Sequence, residues 1–333
     1  MIDILENLPE KSKEELKNEK QPDWTSPMLA TLTHEVFSDK NWLFERKLDG
    51  ERCLVFRKGK EVNIMSRNQK NLDVTYPEVV QAFKDQGNND FIVDGEMVAF
   101  EGKVTSFSAL QSRMHLKDPE LVKQSSTKVF FYLFDILHLD GYNLTQLPLL
   151  QRKKILRRFI DFADPLRFTT HRNQKGEKYF KEACEKSWEG LIAKKADSIY
   201  KHSRSGDWLK LKCVNEQEFV IGGYTDPQGE RIGFGSLLIG YYEDEKLRYA
   251  GKVGTGYNDA MLADLSEKMK KNAINSSPFE NNKDLPRSKV QWTKPKFVAQ
   301  VGFTEWTGSG KLRHPRFLGI REDKSPKEVV REK

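Results

Sequence analysis

Short apolar runs separated by Gly, Asp and Asn follow one another from Trp24 to Phe134. Such runs, rich in β-branched and aromatic residues, are typical of strands, whereas apolar residues spaced three or four apart indicate helices. Because strands dominate and helices interrupt them, the pattern predicts an α+β domain with antiparallel sheets. The predicted strands are Trp42–Phe44, Cys53–Phe56, Val62–Met65, Phe91–Val93, Met97–Phe100 and Val129–Phe134, and the predicted helices are Pro77–Gln86, Phe107–Met114 and Leu150–Phe162.

The sequence pattern changes after Trp208–Lys212, where short strand-like runs are divided by Gly, Asp and Pro turns. One helical stretch, Asn258–Lys271, interrupts these runs. About five short strands with one inserted helix predict a small Greek-key barrel of the OB type, a fold that often binds nucleic acid. The predicted strands are Phe219–Tyr224, Ser236–Tyr242, Arg248–Val253 and Lys296–Thr304.

The chain therefore divides into three predicted parts. Residues 1–21 are rich in Glu, Lys and Asn and poor in large apolar groups, so we expect a flexible polar N-terminal arm. Residues 22–214 form the first predicted domain and residues 215–333 the OB-fold domain, with the boundary in Val214–Glu218. A chain of 333 residues is long enough to give each domain its own core.

The composition adds a modest preference for polyanions. The net charge is +7, the pI is near 9.0, and 32% of the residues are charged, with a mean hydropathy of -0.69. These values describe a soluble protein that could bind nucleic acid. No apolar stretch approaches the roughly 20 residues that span a bilayer, and there is no secretory segment. We therefore expect a cytoplasmic protein with no membrane partner.

The cysteines and histidines predict neither a disulfide framework nor a metal site. Cys53, Cys184 and Cys213 are scattered and lack a short metal-ligand spacing, so we expect three reduced, mostly buried thiols. The six histidines likewise show no paired ligand spacing. A centre built on histidine or cysteine is therefore disfavoured.

The first candidate for chemistry is the segment Lys47–Arg52, which places a lysine and an arginine around a predicted turn. Trp42–Phe44 and Cys53–Phe56 are the predicted strands on either side, and we expect them to pair with each other. A lysine amine that is crowded by cations and partly desolvated can act as a nucleophile. The alternative is an ordinary Asp-Gly hairpin flanked by solvated charges.

Three later segments offer matching groups. Asp94–Glu96 places two carboxylates between apolar runs, with an Asp-Gly hairpin as the alternative. Phe130–Asp135 alternates aromatic residues, one of which could stack on a nucleobase instead of packing in the core. In Trp208–Lys212 the period of two places Lys210 and Lys212 on one strand face, where a phosphate would relieve their repulsion and where we expect the two cations to help depress the Lys47 pKa. Together with Glu189, which begins a short strand, these groups suit nucleotidyl transfer with a metal ion.

The ordered set of motifs resembles covalent nucleotidyltransferases, and more narrowly ATP-dependent DNA ligases. Most similar are the ligase domains of bacterial end-joining DNA ligases, with which the chain shares nearly everything after Asp23. The motifs that carry the resemblance are Lys47–Arg52, Ser66–Asn68, Asp94–Glu96, Phe134 with Asp135, Glu189–Lys195, Lys210–Lys212 and the C-terminal runs Phe303–Trp306, Arg313–Phe317 and Leu318–Lys324.

This resemblance implies a role for each matching residue. Lys47 forms the lysyl-AMP bond, and Asp49 acts near the nick in the later steps. The nucleotide-binding residues implied are Glu45 and Phe134 at the adenine, Arg52 and Arg67 at the phosphate or ribose, Lys210 and Lys212 at the α-phosphate, and Arg321, Asp323 and Lys324 at the leaving pyrophosphate. Glu96 takes a ribose hydroxyl or the metal, and Glu189 is a metal-side carboxylate.

The resemblance also implies substrates and partners. ATP supplies the AMP, Mg²⁺ or Mn²⁺ assists, and nicked duplex DNA is the substrate of a monomeric enzyme near the bacterial nucleoid. A Ku-like end-binding protein is a candidate partner. The short arm leaves no room for a DNA-encircling helical domain, so the two core domains must grip the DNA. The basic cluster Arg152, Lys153, Lys154, Arg157 and Arg158 could help, although a solvated helix face is its simpler interpretation.

Three other functions compete with this one. RNA ligases and mRNA capping guanylyltransferases share the lysine motif, but the Glu45 position and the run Arg313–Lys324 favour ATP and DNA. A nucleic-acid-binding protein without catalytic activity is the alternative from another class, and the set Lys47, Glu96 and Glu189 argues against it. Gly308–Lys311 is not a phosphate loop, because Leu312 replaces the required Ser or Thr.

Overall fold

The computed structural model describes residues 8–87, 89–229, 231–280, 284–286 and 289–332. The described residues form two compact units that meet between Cys213 and Val214. The predicted division after Val214 differs from this by one residue. Each unit has its own apolar core.

The first unit is rich in strands, with six α-helices among its described residues. In chain order its elements are α1 Glu10–Glu15, β1 Lys17–Asn18, β2 Leu29–Leu32, β3 Trp42–Lys47, β4 Glu51–Lys58, β5 Glu61–Ser66, α2 Pro77–Lys84, β6 Phe91–Glu101, β7 Val104–Thr105, α3 Phe107–Met114, α4 Pro119–Gln124, β8 Val129–Leu139, β9 Tyr142–Asn143, α5 Leu149–Phe159, β10 Leu166–Phe168, β11 His171–Asn173, α6 Gly176–Glu185, β12 Gly190–Lys195 and β13 Arg204–Lys212.

These strands form two sheets that are mainly antiparallel, which confirms the predicted α+β class. The larger sheet has the order β1-β9-β8-β6-β4-β5, with β10 beside β8 and β7 beside β6. The smaller, five-stranded sheet has the order β11-β3-β12-β13-β2. Parallel pairing is limited to β10 with β8 and β13 with β2 among the described strands. One apolar cluster includes residues of both sheets, among them Leu43 on β3, Leu54 on β4 and Phe134 on β8.

The turn after Lys47 joins these two sheets, so the prediction that Trp42–Phe44 pairs with Cys53–Phe56 is wrong. β3 pairs with β11 and β12, whereas β4 pairs with β5 and β6. Gly50 makes this crossing possible, because a Cβ on it would lie 2.1 Å from the carbonyl oxygen of Met97. An Asp-Gly pair here changes sheets and does not close a hairpin.

Asp94–Glu96 is not a hairpin either. The two predicted strands around it are one continuous strand, β6, with Gly95 inside it. Because Glu96 lies opposite Arg52 on β4, and Asp94 opposite Leu54, the two carboxylates share a face with Arg52. The strand thus brings both acids to the same side of the larger sheet.

The prediction of a flexible N-terminal arm is corrected for residues 8–21, whereas residues 1–7 lie outside the described part. Leu8 is buried in the core of the first unit. β1 pairs with β9, and the Gln21 side chain donates a hydrogen bond to the carbonyl of Arg57 at 3.0 Å. Apolar anchoring at a single leucine and backbone pairing hold this polar segment in place, which its composition did not reveal.

The prediction of three reduced thiols is right for one cysteine and wrong for the other two. Cys53 is a buried free thiol as expected, but Cys184 and Cys213 form a disulfide with their Cα atoms 5.2 Å apart. Cys184 lies in the last turn of α6, and Cys213 follows β13, where its amide donates to the carbonyl of Glu189 at 3.0 Å. The hairpin of β12 and β13 brings the two cysteines together, although 29 positions separate them.

The second unit consists of a six-stranded sheet, a small two-stranded sheet and one α-helix in its described part, which agrees with the predicted OB-type barrel. The larger sheet has the order β16-β15-β14-β18-β17 with β21 beside β18. Its elements are β14 Asn215–Thr225, β15 Leu237–Glu243, β16 Lys246–Val253, α7 Asp259–Lys270, β17 Ala273–Ile274, β18 Val290–Phe303, β19 Glu305–Trp306, β20 Leu312–Arg313, β21 Arg316–Ile320 and a 3₁₀ turn Pro326–Glu328. No helix in the described ranges of either unit has the length and apolar character that would let it cross a bilayer.

Candidate active site

One face of the five-stranded sheet carries several of the candidate site residues of the first unit. Residues directly opposite each other on neighbouring strands point to the same side, as do residues two apart on one strand. The register of β3, β12 and β13 therefore arranges this face, called here the site face, in three rows. The rows are Lys47–Gly190–Lys212, Glu45–Ile192–Lys210 and Leu43–Lys194–Trp208.

Lys47 ends β3 and forms an ion pair with Glu189, the residue before β12. Burial lowers the pKa of the Lys47 ammonium, but Glu189 outweighs burial, with help from Glu96 and Asp49, so the pKa lies above its ordinary value. The expectation that neighbouring cations depress this pKa is therefore wrong. Carboxylates, not lysines, are the dominant charges around the amine.

Lys210 and Lys212 lie on the site face, as their period-two spacing predicts. Gly190 separates Lys47 from Lys212 in their row, so no side chain stands between the two. Its φ of 148° and the 1.9 Å that would separate a Cβ from the Leu211 carbonyl oxygen both require glycine. The row therefore offers two ammonium groups around a position without a side chain, which suits a phosphate group.

Arg52 faces Asp94 rather than an open pocket. Its Nε and Nη2 donate to the two Asp94 carboxylate oxygens at 2.5 and 2.6 Å, and Asp94 is fully buried. The Tyr200 hydroxyl also donates to Asp94, at 2.6 Å. Burial lowers the pKa of Arg52, but Asp94 more than reverses this and raises it. Arg52 is thus a fixed cation at the edge of the site.

Phe134 is almost fully buried, and two cations lie over its ring. The Lys194 ammonium is 4.0 Å and the Arg52 guanidinium 4.6 Å from the ring centroid. Cations favour the electron-rich face of an aromatic ring. The ring therefore connects Arg52 with the third row of the site face.

Glu45 is a buried acid with two buried lysine partners, Lys153 and Lys194. The sequence did not single out either lysine for this place. In the sequence, Lys194 is only one residue of the segment Glu189–Lys195, and Lys153 belongs to a basic cluster whose simpler interpretation is a helix surface. Alternation along β12, once its register with β3 is known, places Lys194 on the same face as Glu45. No pattern in the sequence around Lys153 indicates that this residue of α5 reaches Glu45.

The basic cluster on α5 is therefore only partly a surface. Arg152 is fully buried and forms a bidentate ion pair with Asp135, at 2.8 and 2.9 Å, and Lys153 reaches Glu45. Lys154, Arg157 and Arg158 are exposed. The prediction of a solvated face holds for these three residues and is wrong for the other two.

Asp49 and Arg67 lie in the connections around β4 and β5. The Asp49 carboxylate accepts a hydrogen bond from the amide of Phe107 at 2.9 Å, so it stabilises the start of α3. Its own amide donates to the Thr105 hydroxyl at 3.1 Å. Arg67 is half-buried in the turn after β5. Asp49 also acts on the Lys47 ammonium, which places it beside that residue.

The second unit carries its own charged cluster after β21. Arg321 donates to both oxygens of Asp323 at 2.8 Å, and Lys324 lies 3.2 Å from Glu218 on β14. Burial raises the pKa of Asp323, but Arg321 outweighs it, so the pKa lies below its ordinary value. The implied pyrophosphate residues are thus together and pre-oriented within the second unit.

The acids of the first unit fit a magnesium ion better than a softer metal. Within the ranges that the structure describes, no group of three or more His, Cys, Asp or Glu side chains is arranged to hold a metal. Glu189 and Glu96, which both act on the Lys47 ammonium, offer only oxygen. Mg²⁺ commonly takes one or two carboxylates and completes its shell with water and phosphate oxygens. The residues present therefore fit Mg²⁺ or Mn²⁺ that arrives with a nucleotide.

Two family models match the chain. The model described as the ATP-dependent DNA ligase domain matches residues 27–212, and that of the ATP-dependent DNA ligase C-terminal region matches residues 230–324. The first match alone covers more than half of the chain and includes every site residue of the first unit.

Similar proteins agree with these models. The multifunctional non-homologous end joining protein LigD of Pseudomonas aeruginosa is 34% identical over 94% of this chain and 37% of its own length. A DNA ligase of Thermococcus fumicolans is 32% identical over 86% of this chain and 53% of its own length. The chain thus spans about two fifths to one half of these relatives.

A solved structure covers nearly the same extent as this chain. The structure described as mycobacterial DNA ligase D complexed with ATP and MES is 34% identical, with a TM-score of 0.66. The alignment covers 92% of this chain and 98% of that one. The similarity thus extends over both units in sequence and in fold.

Proposed function

The chain belongs to the ATP-dependent DNA ligase family, and we propose that it seals nicks in duplex DNA through AMP bound covalently to Lys47. The observation that carries the proposal is the site face, where Lys47, Lys210 and Lys212 lie beside Glu189. Nucleotidyl transfer needs a nucleophile, cations that neutralise phosphate charge, and in-line positioning. The site face supplies the nucleophile, Lys47, and the cations, Lys210 and Lys212.

The proposed reaction has three steps. First, Lys47 Nζ attacks the α-phosphorus of ATP, a P–N bond forms, and the bond to pyrophosphate breaks. Second, an oxygen of the 5′-phosphate at the nick attacks the same phosphorus, and the P–N bond breaks. Third, the 3′-hydroxyl attacks the 5′-phosphorus, AMP leaves, and the strand is continuous. Lys47 returns to its starting form after the second step.

The Lys47 amine must lose its proton before it attacks, and its pairing with Glu189 opposes that loss. We infer that the phosphates of ATP draw in Lys210 and Lys212 and that Glu189 releases Lys47. A divalent ion on Glu189 and Glu96 would neutralise charge on the phosphate oxygens during transfer. The ion pair is thus a resting arrangement, which holds the amine in position and protonated until the nucleotide binds.

The remaining assignments follow the family motif. Phe134 and Glu45 contact the adenine, Arg67 and Arg52 face the ribose or phosphate side, and Asp49 acts near the nick. In the second unit, Arg321, Asp323 and Lys324 orient the leaving pyrophosphate. The Arg52–Asp94 pair supports this assignment only in part, because it fixes the guanidinium but also occupies two of its donors.

The test is covalent labelling with ATP that carries radioactive phosphorus at the α-position, together with Mg²⁺. The wild type should acquire an acid-labile label at Lys47 and then seal a nicked duplex. Lys47→Arg is the matched control, since it keeps the positive charge next to Glu189 but cannot form the intermediate; it should neither label nor seal. Equal sealing by Lys47→Arg and the wild type would refute the proposal.

A second variant separates the steps. Arg321→Ala should slow labelling by ATP but spare the sealing of a nick that already carries AMP, because that substrate has no pyrophosphate to expel. Both reactions are followed by gel electrophoresis with the same protein preparation. An equal loss in both reactions would contradict the assigned role of Arg321.

The substrate range and partners are proposals of wider reach. End joining is named for relatives of which this chain spans about two fifths. We propose that the chain acts as a monomer in the bacterial cytoplasm beside the nucleoid and that a Ku-like protein recruits it. A panel of nicked, cohesive and blunt DNA ends, with and without such a protein, tests this. Labelling by GTP instead of ATP, or sealing of RNA alone, would favour a capping enzyme or an RNA ligase.

A further inference from the structure

Three charged side chains lie in the interior of the first unit without an evident structural need. Glu45, Lys153 and Lys194 are each only 1 to 2% exposed. Lysine and glutamate are rarely buried so completely, and apolar residues would often stabilise such a position equally well. The burial of these charges is therefore not explained by stability alone, which leaves a functional role for the cluster.

The geometry of the cluster is specific. The Lys153 ammonium lies 2.5 Å from Oε1 of Glu45, and the Lys194 ammonium lies 2.6 Å from Oε2. Each oxygen of the carboxylate thus has its own cation, which fixes the plane of the group. Lys153 is itself held by the carbonyl of Thr169 at 3.0 Å. Two different elements, α5 and β12, therefore determine how Glu45 is oriented.

The cluster touches the ring assigned to the base. Lys194 lies 4.0 Å from the Phe134 ring centroid, and Lys153 lies 3.5 Å from the Phe134 carbonyl oxygen. Glu45 lies on the site face, two residues before Lys47 on the same strand. A base against Phe134, with its phosphates at Lys47, would bring its polar edge to Glu45.

The charge state of Glu45 decides which base it accepts. Burial raises the pKa of the Glu45 carboxyl, but Lys153 and Lys194 outweigh burial, so the pKa lies below its ordinary value. An ionised carboxylate only accepts hydrogen bonds, whereas a protonated one both donates and accepts. His171, opposite Glu45 on β11, adds no opposing charge, because burial and then Lys153 lower its pKa.

We propose that Lys153 and Lys194 are positioning residues that hold the Glu45 carboxylate as a fixed acceptor for the 6-amino group of adenine and so make the site select ATP over 6-oxo purine nucleotides. This inference rests on the proposed function, since it takes ATP as the nucleotide and Glu45 as a base contact. A 6-oxo purine places an acceptor where adenine has a donor, so a fixed carboxylate repels it. Without one of the lysines, Glu45 turns more freely and accepts a proton more readily.

The experiment compares ATP with inosine triphosphate, which has an oxo group in place of the 6-amino group. Single-turnover labelling of Lys47 gives kcat/KM for each nucleotide with the full chain. The variants are Lys153→Met, Lys194→Met and Glu45→Gln. Lys195→Met is the matched control, because Lys195 follows Lys194 on the same strand and is 47% exposed. Thermal melts show which variants are folded.

The wild type and Lys195→Met should prefer ATP strongly. Each lysine variant should lower the ATP-to-inosine ratio about tenfold or more, the size expected when a buried hydrogen bond loses its geometry. The loss should appear as a raised KM for ATP, with a saturated labelling rate within about threefold of the wild type. Glu45→Gln should also lower the ratio, because an amide donates and accepts.

A wild-type ratio in either folded lysine variant, alongside a lowered ratio in Glu45→Gln, would overturn the positioning role. A fall in the saturated rate at an unchanged ratio would overturn it too, because it would show structural support alone. If one lysine variant does not fold, the other decides. An unchanged ratio in Glu45→Gln would remove the base contact and the inference together. A wild type that takes no label from ATP would instead refute the proposed function.

Discussion

Arg152→Met should destabilise the first unit far more than the neighbouring change Arg158→Met on the same helix. Arg152 and its partner Asp135 are both fully buried. Arg152 also donates to the carbonyls of Leu147 at 2.5 Å and Ser198 at 3.0 Å. The substitution would leave the buried Asp135 carboxylate without its cation and the Leu147 carbonyl without the Arg152 donor, whereas the Ser198 carbonyl keeps the amide of Leu149 at 2.9 Å.

The magnitude follows from the geometry of this pair. Removing one partner of a buried ion pair typically costs about 3 to 5 kcal/mol, because the remaining charge is uncompensated. For a domain of this size, each kcal/mol corresponds to about 2 to 4 °C in Tm, so the unit should melt roughly 6 to 20 °C lower. Arg158 is exposed, so Arg158→Met should shift the Tm by no more than about 2 °C.

Differential scanning calorimetry of the full chain measures both variants, provided that the transition of the first unit is resolved. The double variant Arg152→Met, Asp135→Leu should recover part of the loss, because it removes the stranded charge while the Leu147 carbonyl still lacks the Arg152 donor. A fall of less than about 2 °C in Arg152→Met, equal to that in Arg158→Met, would refute the view of Arg152 as a buried structural residue.

Three further predictions concern charge and redox state. Acetic anhydride should modify Lys47 slowly in protein without added nucleotide, because Glu189 outweighs burial and raises the pKa of the Lys47 ammonium. In Glu189→Gln the modification of Lys47, followed by peptide mapping, should be faster. Equal rates in the two proteins would contradict the raised pKa. Thiol titration of the denatured, unreduced protein should find one of the three cysteines free, and three free thiols would refute the disulfide. Reduction of the Cys184–Cys213 bond should lower the free energy of unfolding, measured in urea, by roughly 3 to 4 kcal/mol, because the bond closes a loop with a sequence separation of 29. Burial lowers the pKa of Lys194 to about 8, so between pH 8 and 10.5 the unfolded chain binds more protons than the folded one. The free energy of unfolding should therefore rise over that window in the wild type, compared with Lys194→Met, and parallel curves for the two proteins would contradict the shift.

Local patterns in the sequence predicted much of the fold and part of the site. The period of two in Trp208–Lys212 placed Lys210 and Lys212 on one face, because strand geometry alone determines that outcome. The strand runs and α3 were found near their observed bounds. Glycine, apolar alternation and charge carry this information over a few residues, without reference to any distant segment.

The features that the sequence did not predict depend on contacts between distant segments. Nothing near Asp49 shows that the following strand joins another sheet, because the same dipeptide closes hairpins elsewhere. The sequence predicts Arg152 and Lys153 as surface residues, because nothing near them shows that their acidic partners lie on β8 and β3. The sequence does not indicate the Cys184–Cys213 disulfide for the same reason. In each case the deciding partner is far away in sequence and is brought close by sheet register.

The same register separates two kinds of ion pair at the site, and this decides which should open when ATP binds. Asp94 is fully buried and accepts from Arg52 twice and from Tyr200 once, so an incoming phosphate that displaced Arg52 would leave a buried carboxylate without its cation. Lys47 and Glu189 are both partly exposed, at 19% and 8%, so water and ions can compensate either partner after separation. Phosphate charge should therefore exchange with Glu189 at Lys47 and leave the Arg52–Asp94 pair intact. Lys47, the proposed nucleophile, is therefore held by the pair that water can compensate, so the ligand can release it while Arg52 keeps its position.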